Sequence, residues 1–587
     1  MDAGEEAARK QIAIGAERFV SAARSPLQAR CVQLARMGCV VFHYDMIGYA
    51  DSVQLSRDLA HGFRTQRPEM IGTESWGLFS PQAESLAQSV MGLQTWNSIR
   101  ALDFGLSLPE VDPSRVAVTG ASGGGTQSFI LAAIEPRLTG AFPAVMVSTA
   151  MQGGCTCENA CGLRIGTGNV EFAALNAPRP LGLTSANDWT VEMATKGFPE
   201  LKALYRLLGA EDRVELHRAE HFGHNYNHVS RTAMYGWMNR LFRLGLPEPV
   251  LESDFHFLNP AELTVWDDAH PAPKGGPDFE RRLLRRWRDL LWTCDPQPPF
   301  WLTPPVFRHV FGKGLEIVVG RTLAEAGEVA WEPRATREPA GEGWRIQAGL
   351  LRNRTYDEAL PALSFEPVGS RPRATVVWVD GRGKAGLLGP DGESPADGVR
   401  RLLAAGLRVV TADLFELGEF RPDGRPLRQT RRVDNPREAA AYTLGYNHSL
   451  CAQRAHDVLT LIQWARQSGD PVWLLAVEGG SPWAAAAMAV APGALEGAAM
   501  DTRGFRFFAV SDIRSPDLLP GAARYGDLPG MLAVGLPRWL ALAGEDGVSP
   551  WLAKVAAWRE AAIEGVEAPP AAATDRLLAR LIERVRP

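Results

Sequence analysis

Short apolar runs alternate with helical stretches along the first 245 residues, and this alternation restricts the possible folds more than any other feature of the chain. The runs are bounded by turn residues, as is typical of strands buried on both faces of a sheet. The predicted strands lie at 38–44, 115–119, 141–147, 180–185 and 213–218, and the predicted helices at 24–36, 82–104, 126–133, 197–208 and 229–243. This order predicts a mostly parallel sheet with helices on both faces, which is an α/β fold.

The same alternation returns after residue 373. Predicted strands at 374–379, 407–412 and 472–477 alternate there with predicted helices at 395–405 and 450–467. The intervening residues are rich in Pro, Trp and Arg and include a charged helix near 279–292 and an alternating stretch at 315–319. We therefore expect an α/β domain over 1–245, a linker with a small β-rich segment over 246–370, and a second α/β domain over 371–587.

The strongest chemical signal is a G-x-S-x-G sequence around Ser122, which follows the predicted strand at 115–119 and precedes a predicted helix. This strand–turn–helix setting is the one a nucleophile elbow requires. The elbow holds its serine in a strained backbone conformation, so its neighbours must be small, and Gly120, Gly123 and Gly124 meet that need. We predict Ser122 as a nucleophile and the backbone N–H of Gly123 as an oxyanion donor.

A serine nucleophile needs an acid and a histidine, which in this fold follow it in that order. Asp188 comes directly after a predicted strand, where α/β active sites gather, whereas its rival Asp212 comes before a strand. The loop after the last predicted strand is rich in histidine and contains His221 and His224. We predict Asp188 as the acid and His224 as the base, because His224 lies closer to the following helix; His221 is the runner-up.

Three thiols stand close together in a glycine-rich loop, at Cys155, Cys157 and Cys161. No fourth ligand has a recognised zinc spacing, and the histidine-rich loop HFGHNYNH is not an H-E-x-x-H motif. We therefore expect no metal and no cofactor. The loop, with Cys155, Cys157, Glu158 and Asn159, is predicted to line the pocket.

Five segments resemble a family of bacterial α/β-hydrolases described as acetyl xylan esterase-like or dienelactone hydrolase-like. The segments are YDMIGYADS at 44–52, TGASGGGTQ at 119–127, MQGGCTCENA at 151–160, TSANDWT at 184–190 and HFGHNYNHVSR at 221–231. The resemblance implies hydrolysis of carboxylic esters, on acylated plant polysaccharide, with Ser122 as nucleophile, Asp188 as acid and His224 as base.

The chain departs from the family pattern at its start. The run at 38–44 resembles the fourth strand of the family's sheet, and residues 1–23 contain nothing like the third, whose loop supplies the second oxyanion N–H. We therefore expect an N-terminally truncated α/β-hydrolase domain, with the missing strands encoded upstream. The start carries no secretory signal, so the chain as given is expected to be soluble, although an upstream extension would allow export.

The region after residue 371 resembles a degenerate copy of the same domain. Aligning the strand at 116–118 with that at 473–475 puts Gly479 where Ser122 stands, and no histidine follows His456. Without a downstream base, this region cannot form the triad in the order that the fold uses. We expect a second, degenerate α/β-hydrolase-like domain with a structural or substrate-shaping role.

Composition narrows the classes of partner. The net charge of −5 gives no support for nucleic-acid binding, the 7 cysteines do not suit a disulfide scaffold, and no apolar run is long enough to cross a membrane. The leading interpretation is a serine esterase acting on an acylated small molecule or polysaccharide. The alternatives are a serine peptidase of the same fold and a non-catalytic carbohydrate-binding or scaffold protein.

Overall fold

The computed structural model describes residues 4–585. The chain folds into two compact units. The first unit comprises Met1–Thr65, Ser89–Glu280 and Pro436–Tyr446. The second comprises Gln66–Gln88, Arg281–Asn435 and Asn447–Pro587. Each unit contains a sheet of its own.

The helices and strands, numbered separately along the chain, have the following bounds. The helices are α1 Glu5–Ala13, α2 Val20–Arg24, α3 Pro26–Arg36, α4 Arg57–Ala60, α5 Pro81–Ser85, α6 Val90–Ser107, α7 Gly123–Ile134, α8 Asn169–Ala174, α9 Gly197–Leu207, α10 His228–Phe242, α11 Pro260–Leu263, α12 Pro277–Asp289, α13 Pro304–Phe307, α14 Lys313–Val319, α15 Asp397–Ala404, α16 Ala441–Leu444, α17 Leu450–Arg466, α18 Ser481–Ala489, α19 Asp527–Gly535, α20 Pro550–Arg559 and α21 Pro570–Val585. The strands are β1 Ala117–Ala121, β2 Gly140–Ala144, β3 Leu181–Ala186, β4 Val214–Ala219, β5 Val329–Arg337, β6 Trp344–Asn353, β7 Glu358–Pro367, β8 Thr375–Asp380, β9 Arg408–Ala412, β10 Val472–Val477, β11 Gly497–Asp501, β12 Trp539–Ala543 and β13 Ala562–Val566.

The sheet of the first unit has four parallel strands in the order β1-β2-β3-β4. One face packs against α6, α7, α8 and α9 in a core that includes Phe129 and Tyr205. On the other face, Phe142 of β2 packs against Trp237 of α10, with ring centroids 5.5 Å apart. The predicted parallel sheet with helices on both faces is therefore present. Because all four strands run the same way, the loops after them share one edge of the sheet.

The apolar run at 38–44 is not a strand, so that prediction is wrong. Val40 and Phe42 in this run are about half exposed, and the ring of Phe42 packs against Phe104 of α6 with centroids 4.9 Å apart. Within residues 4–585, β1 pairs with β2 alone, and the run does not pair with the open edge of β1. An apolar run becomes a strand only where a neighbour satisfies its backbone groups.

The second unit has a nine-stranded mixed sheet in the order β13-β12-β11-β10-β8-β9-β7-β6-β5. Strands β8 to β13 are parallel, whereas β5, β6 and β7 pair antiparallel and β7 joins β9 antiparallel. Helices α17, α18 and α19 contribute to the core on one face, and α15 and α21 to the core on the other.

Residues 315–319 are helical rather than part of the predicted β-rich segment. Leu315 and Val319 are fully buried and Ile317 is 81% exposed. Buried positions four residues apart fit one face of a helix as well as the same face of a strand, so a run this short does not distinguish the two. Among the helices of residues 4–585, none is both long and apolar enough to cross a membrane.

Candidate active site

Ser122 occupies the turn between β1 and α7 with a positive φ, in a backbone conformation of φ 55° and ψ −125°. A residue with a Cβ atom adopts this conformation only under strain, and such strain is concentrated at functional sites. Its backbone N–H donates a hydrogen bond to the carbonyl of Ala144, at the end of β2, with an N···O distance of 3.2 Å. The neighbouring strand thus fixes the turn that presents the side chain.

The glycines around Ser122 differ in how strictly the turn needs them. A Cβ atom on Gly120 would lie 2.4 Å from the carbonyl oxygen of Gly124, and one on Gly125 would lie 2.8 Å from the Cβ atom of Met146. Gly124 itself has open space at its Cβ position. The close approach of strand and helix therefore requires glycine at 120 and 125, whereas the sequence motif predicts the need at 120, 123 and 124.

Asp188 and His224 lie in the loops after β3 and β4, at the same edge of the sheet as Ser122. The distance between His224 Nδ1 and Asp188 Oδ2 is 2.8 Å. The carboxylate of Asp188 is nearly buried, with 6% of the side chain exposed, while 34% of the His224 side chain remains exposed. The structure therefore brings together the predicted acid and the predicted base.

Thr190 holds the second oxygen of the Asp188 carboxylate. The backbone N–H and hydroxyl of Thr190 donate to Oδ1 over 2.7 Å and 2.5 Å. Burial alone would raise the pKa of Asp188, but the hydrogen bonds from His224 and Thr190 outweigh it and hold that pKa below its ordinary value. An ionised carboxylate only accepts hydrogen bonds, so the ring proton facing it lies on Nδ1 of His224. Its Nε2 is then the atom that can take up a proton.

The loop that carries His224 is fixed at several points. The N–H of Asn187 donates to the carbonyl of Phe222 over 2.8 Å, and the Tyr226 hydroxyl lies 2.6 Å from the hydroxyl of Thr119 in β1. The ring of His221, the runner-up base, packs on Phe222 with centroids 4.1 Å apart and makes no hydrogen bond to Asp188. The geometry thus pairs Asp188 with His224 rather than His221.

The predicted nucleophile and the predicted base are not in direct hydrogen-bonding contact within the described residues. No hydrogen bond within residues 4–585 joins His224 to the hydroxyl of Ser122. Catalytic hydrogen bonds often form fully only when substrate is bound. Asp212, the weaker acid candidate, lies in a short turn before β4, and its carboxylate makes no hydrogen bond to His224.

The cysteine-rich loop follows β2 and is tied to the helix behind Ser122. Glu158 accepts hydrogen bonds from the N–H groups of Gly154 and Cys155, over 2.8 and 3.1 Å, through one oxygen. It accepts a third, over 3.0 Å, from the hydroxyl of Thr126 in α7 through the other. Burial raises the pKa of Glu158. Asn159 donates to the Cys155 carbonyl over 2.8 Å. The loop therefore has an ordered conformation beside the predicted nucleophile.

His61 is a neighbour of this loop that the sequence reasoning missed. Its Nδ1 lies 3.1 Å from Sγ of Cys157 and 3.7 Å from Sγ of Cys155, and the two sulfur atoms are 2.7 Å apart. His61 precedes these cysteines by more than ninety residues. No spacing motif links residues so far apart, so only the fold reveals the contact.

The second unit repeats the strained turn without a serine. Glu478 directly follows β10 and has φ 55°, as Ser122 does after β1. Its carboxylate contacts Arg503 with an N···O distance of 2.7 Å. Aligning the two halves of the chain by sequence puts Gly479 at this position, one residue too late. The nearby Ser481 is fully buried and donates to the carbonyl of Asp501 over 2.6 Å.

No protein-family model matches the chain, and no curated protein sequence matches it. Several solved structures of esterases are similar in part. A methylesterase is 25% identical over 45% of this chain and 56% of its own, with a TM-score of 0.35. Acetyl xylan esterase 1 from a Thermoanaerobacterium species is 12% identical over 49% of this chain and 100% of its own, with a TM-score of 0.30.

A glucuronoyl esterase from Solibacter usitatus is 11% identical over 55% of this chain and 95% of its own, with a TM-score of 0.31. This chain thus spans little more than half of the methylesterase and nearly all of the other two. TM-scores in this range do not assign a shared chemistry. The chemistry of this chain therefore has to be argued from its own residues.

Proposed function

We propose that this chain is a serine carboxylic-ester hydrolase in which Ser122 is the nucleophile, His224 the general base and Asp188 the acid that orients it. The observation that carries the proposal is the 2.8 Å hydrogen bond between His224 and Asp188. It is made at the edge of the sheet where Ser122 occupies its strained turn. A nucleophile, a base and an orienting acid are the groups that acyl transfer through a covalent intermediate needs.

In the proposed reaction, the hydroxyl oxygen of Ser122 attacks the ester carbonyl while Nε2 of His224 takes up the hydroxyl proton. The imidazolium that results is stabilised by the carboxylate of Asp188 through Nδ1. His224 then returns the proton to the leaving alcohol, and water hydrolyses the acyl-enzyme by the same route. The N–H of Gly123, at the first position of α7, is proposed to donate to the oxyanion, aided by the positive end of the helix dipole.

We further propose that both units are α/β-hydrolase domains and that only the first is active. Support comes from the second sheet, in which β8 lies between β9 and β10, the strand before the strained turn. This is the place that the fold gives to its third strand, between the fourth strand and the strand of the nucleophile. Glu478 at the turn, and the lack of any histidine after His456, leave the second unit without nucleophile or base.

The substrate is proposed to be an acylated polysaccharide, and this part of the proposal depends on the sequence resemblance. The triad itself does not choose between esters and amides. Turnover of acetylated xylan, of a nitrophenyl acetate and of a peptide amide should therefore be compared on the same preparation. Hydrolysis of the amide at a rate equal to that of the esters would favour a serine peptidase.

A fluorophosphonate probe tests the central claim, because it reacts only with an activated serine. We expect a single labelled serine, Ser122, in the wild-type protein. Ser122→Ala should abolish both labelling and ester hydrolysis, with a loss in turnover of about 10⁶-fold. Ser481→Ala is the control, since Ser481 lies at the start of the corresponding helix in the second unit. A wild-type protein that is folded but unlabelled would instead be a non-catalytic scaffold.

A further inference from the structure

Three side chains that can act as metal ligands, one imidazole and two thiols, meet in the loop beside the helix that follows the proposed nucleophile. The Nδ1 atom of His61 and the Sγ atoms of Cys155 and Cys157 all lie within 4.8 Å of one another. Cys157 is buried, and the other two are half-buried. Both cysteines are free thiols, so neither is committed to a disulfide. Thiolate and imidazole are the ligands that Zn²⁺ takes in most protein sites.

The surroundings orient His61 as a metal ligand would be oriented. Its Nε2 lies 2.9 Å from the carbonyl oxygen of Ile47. A carbonyl only accepts hydrogen bonds, so Nε2 carries the proton, and Nδ1 of the neutral ring presents its lone pair to the two sulfur atoms. A histidine ligand whose second nitrogen donates to a backbone carbonyl is the usual arrangement around protein-bound metals. The ring of Tyr49 packs edge-on against it, with centroids 4.6 Å apart.

The cysteine loop is held against the same segment. The hydroxyl of Thr156 donates a hydrogen bond of 2.6 Å to the carbonyl of Ala60. Thr156 lies between Cys155 and Cys157 in sequence, and Ala60 directly precedes His61, so this bond holds the cysteines beside the histidine. The short turn over Thr156–Glu158 is closed by the Glu158 carboxylate, which accepts from the N–H of Cys155 over 3.1 Å. The three ligands therefore stand on backbone that hydrogen bonds already order, as a preformed site requires.

We propose that His61, Cys155 and Cys157 bind one Zn²⁺ ion. This proposal replaces the expectation of no metal, because that expectation follows from sequence spacing and His61 lies more than ninety residues before the two cysteines. A tetrahedral zinc site with Zn–S bonds of about 2.3 Å needs sulfur atoms roughly 3.7 Å apart. The two Sγ atoms, now 2.7 Å apart, must separate by about 1 Å, while the Nδ1–Sγ distances of 3.1 and 3.7 Å already bracket the required value.

Three protein ligands leave the fourth tetrahedral position to a water molecule. The ion joins the segment between Ile47 and His61 to the loop after β2. Through Glu158 and Thr126, that loop is in turn bonded to α7. The zinc ion is therefore expected to stabilise the loop beside Ser122 and to take no part in acyl transfer.

The test is metal binding by the purified full chain. Protein reduced and freed of metal should bind one equivalent of Zn²⁺, measured by competition with a chromogenic chelator. The Co²⁺ form should show the charge-transfer absorption of thiolate ligands. Cys155→Ser, Cys157→Ser and His61→Gln should each weaken zinc binding by at least about 100-fold. Cys161→Ser, in the same loop, is the matched control and should bind as the wild type does.

Two outcomes would overturn the proposal. The first is wild-type protein that takes up no more zinc than the Cys155→Ser/Cys157→Ser double variant. The second is loss of binding in Cys161→Ser, which would assign a different ligand set. Circular dichroism identifies any variant that fails to fold, and in that case the Co²⁺ spectrum of the wild type alone decides. Zinc binding is measured also in Ser122→Ala, so the result does not depend on whether the protein is an esterase.

Discussion

His224 Nδ1 lies 2.8 Å from Oδ2 of Asp188, and the other oxygen of that carboxylate is occupied by Thr190. One oxygen thus anchors the acid, and the other is left to orient the imidazole. The anchor matters because a carboxylate that could rotate freely would fix neither the position nor the tautomer of the ring. This arrangement leaves Nε2 of His224 as the atom that we propose to act as the base.

Asp188→Asn should lower kcat for a nitrophenyl ester by about 10⁴-fold while leaving the fold intact. The amide keeps the shape of the side chain, but its NH₂ group can face Nδ1 and stabilise the wrong ring tautomer. Steady-state kinetics and a thermal melt would measure the two effects. Asp212→Asn is the control and should retain wild-type turnover, since the Asp212 carboxylate makes no hydrogen bond to His224. Equal losses in both variants would remove Asp188 from the triad.

His224→Ala should be far more damaging than His221→Ala. We expect a loss of about 10⁶-fold in kcat for the first, because the base and the nucleophile act as a unit. For His221→Ala we expect a change of less than about 10-fold, since its ring contacts Phe222 rather than Asp188. Both variants should be assayed with saturating nitrophenyl acetate. A reversed order would transfer the role of base to His221.

The loops of the candidate site could be predicted because their sequence signals are local. Ser122 lies in a strand–turn–helix motif, and Asp188 follows a continuous apolar run that the structure confirms as β3. Strand ends in a parallel sheet share an edge, so a sequence pattern at each end is enough to propose a common site. The sequence favours His224 over His221 only by its position closer to the following helix, whereas the folded structure joins His224 to Asp188 by a hydrogen bond.

The features that were missed depend on contacts between distant segments. The exposed run at 38–44 lacks a strand partner among residues 4–585, and His61 reaches its cysteines only through the folded chain. The sequence alignment puts the turn residue of the second unit at Gly479, because it matches only the apolar residues of the two strands. The structure identifies Glu478 as the turn residue by its positive φ. Backbone conformation at a single residue leaves little trace in composition.

Glu478→Ser should produce no second active centre. The substitution places a hydroxyl at the strained turn after β10, but no histidine follows His456 to act as its base. It also removes one of the two carboxylates that Arg503 contacts, at an N···O distance of 2.7 Å, and leaves Asp501 as the other. In a Ser122→Ala background, the variant should show neither fluorophosphonate labelling nor ester hydrolysis. Any labelling at residue 478 would mean that another group in the second unit serves as base.

A buried cluster of one arginine and two glutamates should make the free energy of unfolding of the first unit fall at low pH. Arg231 is fully buried and makes two hydrogen bonds, of 2.6 and 2.8 Å, to the carboxylate of Glu252 and two more to Glu17. Burial by itself would raise the pKa of Glu252, but the bonds from Arg231 and the neighbouring groups lower it to about 2 from an ordinary 4.5. The ionised form is thus the one that the fold stabilises.

A depressed pKa contributes stability that is present above the unfolded value and is lost as pH falls toward the folded value. For Glu252 that window runs from about pH 4.5 down to about pH 2, and the contribution is about 3 kcal/mol. Urea unfolding of Glu252→Gln at neutral pH should show a loss of about 3 kcal/mol or more, and a flatter acid dependence. Glu248→Gln, which breaks an exposed pair with Arg240, should cost less than about 1 kcal/mol.

Two glycines of the elbow offer a matched test of its geometry. A Cβ atom at Gly120 would lie 2.4 Å from the carbonyl oxygen of Gly124, and backbone on both sides would have to move to relieve the contact. Gly120→Ala should therefore lower the melting temperature and displace Ser122, with a loss in turnover of about 100-fold or more, since errors of about 1 Å at a catalytic group have that effect.

Gly124→Ala introduces the same methyl group into open space within α7, so the contact argument predicts no clash. Alanine also favours the helix over glycine by about 0.5–1 kcal/mol, so its melting temperature should stay the same or rise. The two variants differ only in where one methyl group stands. If both lowered stability and turnover to the same extent, the turn would be sensitive to bulk in general. The effect would then not depend on the approach of strand and helix at Gly120.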